Sequence, residues 1–225
     1  MAKFIKIETT QFGIDLFETT AKSIEHHSTQ LKQRMAWLKF INGIEPAATA
    51  MGIKLPFDEY RFVLDYDAMV NISILDLALL VRQFYIAQHH WEKLYFSKQG
   101  YALIYETISK INQYNRNLYT SLSDRSATGL NQYKLIIDRI KLYKVTYDYE
   151  GIIKEVRNKV ASHIEDFKVY YSIINSIDTN KSLLVMTEFV HILNALEGTI
   201  TILLTCFQSD LAKHASLNSG FEEPL

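Results

Sequence analysis

Residues 68–86, AMVNISILDLALLVRQFYI, are apolar around almost the whole circumference of a helical wheel, and that property decides the fold class. Phe62, Tyr66, Met69, Leu77, Leu80 and Phe84 keep the three-to-four spacing of an α-helix, and Asp58 is a suitable N-cap for it. A helix without a polar face belongs at the centre of a packed domain or in a bilayer. No uninterrupted apolar run approaches the roughly 20 residues that span a membrane. The opening MAKFIKIE is too interrupted by charge for an export signal. The expectation is a central helix in a cytoplasmic protein with no membrane partner. Asp76 and Arg82, inside this helix, then need partners of their own, most simply structural ones, the alternative being that Arg82 faces the same cavity as Arg157.

Working outward, residues 15–42 form an amphipathic first helix through Ala21, Ile24, Leu31, Met35, Leu38 and Ile41, with Gly43 as its stop. Pro46, Gly52 and Pro56 mark the connector that follows. His26 and His27 point about 100° apart, which does not suit one metal, and read as surface residues. After the central helix, Gly100 permits a turn, and Leu103, Ile104, Ile108, Ile111 and Leu118 continue as a further helix. Residues 121–130 are small and polar, hence a loop. A helix over 131–147, a stretch at 168–177 undecided between strand and helix, a turn or cap at Asp178-Thr179-Asn180 and a strong last helix marked by Met186, Val190, Leu193, Ile200, Leu204 and Phe207 complete the chain, with a frayed tail. The whole is an all-α, antiparallel bundle of about six helices. Residues 1–57 form an N-terminal helix and connector that can belong to the same domain, 58–210 the main bundle, and 211–225 the tail.

Composition narrows the function. The 225 residues are 48% hydrophobic with three Pro and eight Gly, as in a folded helical chain, and the net charge of −1 excludes binding of nucleic acid or lipid by bulk charge alone. Cys206 is the single cysteine and cannot form an internal disulfide. Glu188 and His191 have the Glu-x-x-His spacing of di-metal bundles, but a second such pair is missing, so no metal and no cofactor is expected. Glycine-rich phosphate loops, zinc-type cysteine pairs and nucleophile elbows are missing too.

Reactive side chains gather on an apolar stripe at 150–167, EGIIKEVRNKVASHIEDF. On one regular helix Ile153, Val156, Val160, Ile164 and Phe167 form the buried face. His163 then falls roughly 20° and Arg157 roughly 100° from Val156, on or beside that face. Asn158 lies on the flank. Just before, the 131–147 helix carries Lys134, Arg139, Lys141 and Lys144 against one acid, with Tyr133, Tyr143, Tyr147 and Tyr149 interleaved. Bases among aromatics can hold phosphates while rings stack on unpaired nucleobases, although a solvated helix face has the same composition.

Arg157-Asn158, four residues, then His163, in an apolar helix before the last helix, resembles the motif of the HEPN superfamily, and VRNKVASHI is similar to members linked to abortive infection. The resemblance implies an all-α domain that usually dimerises. It also implies a metal-independent endoribonuclease of the toxin or antiviral kind, leaving 2′,3′-cyclic phosphate and 5′-hydroxyl ends. Some toxin members have a Tyr two residues after the His, where another enzyme modifies it; here Glu165 stands there.

The residue chemistry agrees with that expectation. A His with an ordinary pKa near 6.5 can take the 2′-hydroxyl proton or give one to the leaving 5′-oxygen. Arg neutralises charge gathering on the phosphate, and Asn donates to it or holds the Arg. One His does not easily do both proton transfers, which favours a two-fold homodimer. The expected catalytic residues are Arg157, Asn158 and His163, and the expected RNA-binding residues Lys134, Arg139, Lys141, Lys144 and Lys159. The partners are RNA, a second copy and an antitoxin or regulatory protein. The alternative is a non-catalytic helical dimer that binds nucleotide, RNA or protein.

Overall fold

The computed structural model describes residues 11–161 and 166–217, and among them the secondary structure is helical, with no strand. The α-helices are α1 (Gln11–Ala50), α2 (Phe57–Ile86), α3 (His90–Arg125), α4 (Ala127–Thr146), α5 (Lys154–Val156), α6 (Phe167–Ser176) and α7 (Thr179–Leu217). Two wider, π-helical turns, Tyr149–Ile153 and Arg157–Ala161, flank the single turn of α5. Seven helices thus stand where about six were expected.

The centre is α2 against α7, as the apolar run at 68–86 required. Val63, Val70, Ile74 and Leu77 of α2 and Phe189, Ile192, Leu193, Leu196 and Ile200 of α7 are wholly buried in one core. α3 packs on both helices, α4 on α3 and α7, and α1 along α2. By length and composition alone, α2 and Thr179–Lys213 are apolar enough to cross a membrane; 44% of each such window is buried inside the protein. Isolated polar residues had broken these stretches into short apolar runs.

Several local expectations give way to tertiary packing. α1 does not stop at Gly43 but continues through Pro46 to Ala50. A helix-interior Pro costs the hydrogen bond to the residue four before it. Ile41 and Ala48 nevertheless sit in the core, and Arg61 of α2 braces this region through Asn42 and Glu45. The loop at 121–130 is only Ser126, whose hydroxyl accepts the Gly129 N–H at 3.1 Å and starts α4. Gly100 lies inside α3, where a Cβ would overlap the Met186 side chain of α7, so the glycine serves helix contact rather than a turn. α2 starts at Phe57, with Asp58 in its first turn instead of capping it. Residues 167–176 are helical. α7 continues past Ser209, and Leu211 still packs against the core.

His27 is the clearest reversal, being 3% exposed rather than on the surface. Asn71 donates its amide N–H groups to the Asp67 backbone oxygen (2.9 Å) and Oδ2 (3.0 Å), which leaves Asn71 Oδ1 to accept from His27 Nδ1 at 2.7 Å. Asp67 Oδ2 also receives Arg34 Nε at 2.6 Å, while Asp67 is wholly buried and Arg34 nearly so. Burial pushes the Asp67 carboxyl above its ordinary range, and Arg34 pulls it only partly back. Elsewhere, Arg125 joins three helices by donating to Glu59 at 2.9 Å and Asp210 at 2.6 Å, with its guanidinium 4.4 Å from the centre of the Phe207 ring. The partners expected for the charges in α2 differ: Arg82 lies over Phe17 at 5.0 Å, and Asp76 is on an exposed face.

Two predictions concern stability. Asp67→Ala strands the buried Arg34 guanidinium and lowers the unfolding free energy by about 3–5 kcal/mol. The double variant Arg34→Met/Asp67→Leu recovers most of that loss, as urea denaturation of the three proteins checks. Burial raises the Glu59 carboxyl, but hydrogen bonds from Arg125 and Ser121 and the Arg125 charge together hold it below its ordinary 4.5. A depressed carboxyl contributes stability above its unfolded pKa and loses it as pH falls through its folded pKa. Glu59→Gln is therefore expected to be the less stable protein at pH 7 and to lose less stability between pH 5 and 3.

Candidate functional site around Arg157

The segment that carries Arg157 is set by the turn before it. Asp148 adopts the left-handed conformation, φ 46°, which Asp tolerates better than most side chains. Its Oδ1 accepts the Gly151 N–H at 3.1 Å. A Cβ on Gly151 would run into that carboxylate, so Gly is needed for close approach. The chain then winds through the first π-helical turn and α5, burying Ile153 and Val156 completely. Those two positions lie on the expected apolar face. Phe167 does not, being 70% exposed at the start of the separate helix α6, where Asp166 Oδ1 accepts the Lys168 N–H at 2.7 Å. Residues 150–167 therefore do not form one regular helix. His163 and Ile164, with Ser162 and Glu165, lie outside the described residues, as does the side chain of Val160.

Arg157 is at the edge of the buried face, its side chain 38% exposed. Its Nε and Nη2 donate to one oxygen, Glu106 Oε1, at 2.7 and 2.6 Å, and Nη1 donates to Asn158 Oδ1 at 3.2 Å. The guanidinium carbon lies 5.3 Å from the centre of the Tyr105 ring. Tyr105 stacks on Tyr149 with 5.7 Å between centres and 9° between planes, and the Lys144 ammonium is 5.0 Å from the Tyr149 ring. The result is a column of cation, ring, ring and cation. Each cation–ring contact is worth about 0.5–2 kcal/mol depending on desolvation. Burial, against a hydrogen bond from Ser109, pushes the Tyr149 phenol up to about 12 and keeps it neutral. Burial also lowers the Lys144 ammonium from its usual range.

The structure brings Lys144 and Lys159 near Arg157, through the ring column and through the shared turn. Lys134 is ten residues from Lys144 along α4, roughly 15 Å away. Each of the five expected RNA-binding cations has a protein partner: Lys134 the Tyr119 ring, Arg139 Glu188, Lys141 Asp138, Lys144 the Tyr149 ring and Lys159 Glu155. The interleaved tyrosines are not a surface platform. Tyr133, Tyr143 and Tyr149 are buried, Tyr133 donating to Asn115 and Tyr143 to the Val185 carbonyl. They belong to the inner face of the same helical spacing that places the lysines outside. Glu188 of the Glu-x-x-His pair is taken by Arg139, and among the described residues no group of three or more metal-ligating side chains occurs.

Sequence reasoning missed Tyr105, Glu106 and the role of Tyr149. Their meeting with Arg157 crosses 51 residues between Glu106 and Arg157, and adjacent Tyr and Glu on a helix carry no signal of it. Chemically, the arrangement is a guanidinium packed on an aromatic ring with one anionic oxygen held between two of its nitrogens. Gly151→Ala displaces the Asp148 cap and is expected to cost about 1 kcal/mol of stability. It should also shift the fluorescence or ring-proton signals of the Tyr105–Tyr149 stack, which a remote Ala substitution on α1 leaves unchanged.

In comparisons with known proteins, no family model, no curated protein and no solved structure matches this chain.

Proposed function

We propose that the protein is a metal-independent endoribonuclease of the HEPN type, with an HEPN-like antiparallel bundle, acting in the cytoplasm as a toxin or antiphage effector. The observation that carries this reading is the Arg157 guanidinium, held over Tyr105 beside Asn158 within the Arg-Asn-x4-His spacing. A backed, partly exposed fork is suited to a phosphate whose negative charge grows during reaction. In the reaction, the ribose 2′-hydroxyl gives its proton to one His163 as its oxygen attacks the adjacent phosphorus, the phosphorus–5′-oxygen bond breaks, and the 5′-oxygen takes a proton from the His163 of the second copy. His163 is assigned the proton transfer, Arg157 charge neutralisation, and Asn158 the orientation of Arg157. Lys134, Arg139, Lys141, Lys144 and Lys159 bind flanking phosphates by giving up their present partners. A homodimer supplies the second His, and an antitoxin or regulatory protein silences the activity.

One observation favours the alternative, a non-catalytic helical dimer that binds nucleotide, RNA or protein: Leu135, Leu142 and Val145 of α4 are 71%, 66% and 81% exposed on its outer face. Cleavage decides between the two. Purified protein is incubated with single-stranded RNA in EDTA, beside His163→Ala and Arg157→Ala. The endoribonuclease reading expects the wild type to leave cyclic phosphate ends and each variant to lose at least 100-fold in rate, within the range of general acid–base and charge-stabilising groups. Folded, equally inert proteins sink it.

A further inference from the structure

The oxygen that Arg157 holds in the resting protein is the one a ligand would have to replace. Glu106 Oε1 sits between Nε and Nη2 at 2.7 and 2.6 Å, the position in which a guanidinium receives a phosphate oxygen. Glu106 comes from α3, so neither the turn nor the motif of Arg157 supplies it. Its side chain is 51% exposed, so it returns to water with little desolvation cost. The guanidinium also rests on Tyr105, which stacks on the buried Tyr149, so it has a contact that does not depend on the carboxylate. The same turn repeats the pattern: Lys154 is paired with Glu150 at 2.7 Å and Lys159 with Glu155 at 3.4 Å, each acid half-exposed or more.

We infer that Glu106 is an internal stand-in for an RNA phosphate: its carboxylate occupies the anion site of Arg157 in the free protein and sets the affinity for RNA by competing with the phosphate. The inference deepens the ribonuclease reading and rests on it for the identity of the ligand. The alternative role for the same contact is positioning, in which Glu106 holds Arg157 where it works. The two differ in sign, because removing a competitor tightens binding and removing a support weakens it.

The test is a double-mutant cycle read by binding. Fluorescein-labelled, fully 2′-O-methylated single-stranded RNA, which lacks the attacking hydroxyl, is titrated with the wild type, Glu106→Gln, Arg157→Ala and the double variant over a range of salt. Glu106→Gln is expected to bind about two- to five-fold tighter, the equilibrium worth of an exposed ion pair. Its plot of log Kd against log salt is expected to be steeper by about 0.7, one more phosphate contact to a single strand. In the Arg157→Ala background the same substitution changes nothing, since the coupling runs through the guanidinium. Unchanged or weaker binding by a folded Glu106→Gln overturns the inference. So does an equal gain in both backgrounds, which is general electrostatics, and so does a failure of all four proteins to bind. Cleavable RNA, run in parallel, separates the two levels. A wild type that cuts RNA with no coupling in the cycle retains the ribonuclease reading alone, and a wild type that cuts nothing but shows the coupling retains the stand-in alone.

Discussion

The contact between α2 and α7 is what every other element depends on. Both helices bury branched and aromatic side chains that are fully withdrawn from water, at roughly 25 cal/mol for each Å² of apolar surface. Two such helices leave apolar residues along their flanks, and α1, α3 and α4 cover them. α3 comes close enough to α7 that Gly100 leaves room for Met186. The short, irregular segment from Asp148 to Ala161 is then laid on α3, with Ile153 and Val156 as its anchors.

A second constraint acts on this apolar frame. Asp67 lies inside α2 at a position no water reaches, and a buried carboxylate demands donors. Arg34 and Asn71 supply them to Oδ2, whereas among the described residues the buried Oδ1 has no hydrogen-bond partner, and Asn71 in turn orders His27. Because these groups meet only at one offset of α1 along α2, the polar seam fixes the register of a long helix whose apolar stripe is otherwise weak. The hydrophobic core holds the helices together, and the seam selects one arrangement among several greasy ones.

At the proposed site the same division recurs on a smaller scale. Apolar anchors fix the backbone of the Arg157 segment, whereas the orientation of the guanidinium comes from groups on a different helix. Tyr105 packs against it and Glu106 takes two of its donors. A half-exposed ion pair rests on a stack of which Tyr105 is partly buried and Tyr149 buried. That combination makes charge exchange at Arg157 inexpensive in free energy, while motion of Arg157 itself is costly.

By itself the sequence determined that the chain is helical, which helix is central, that a turn or cap at Asp178-Thr179-Asn180 precedes the last helix, and that Ile153 and Val156 face the core. Those features follow from local spacing: an apolar side chain every three to four residues, few helix breakers, and Asp178 as a cap, which accepts the Asn180 N–H at 2.9 Å. Tertiary structure decided the rest. Gly43 and Pro46 failed to end α1 because burial of Ile41 and Ala48 outweighs a local preference. His27 moved inside because Asn71, 44 residues away, offers its amide oxygen. Tyr133, Tyr143 and Tyr149 separate from the lysines because neighbouring side chains on a helix point about 100° apart, and only packing says which face is inner. Glu106 joined the Arg157 site for the same reason: a contact across 51 residues is made by the way helices pack, and no local pattern encodes it.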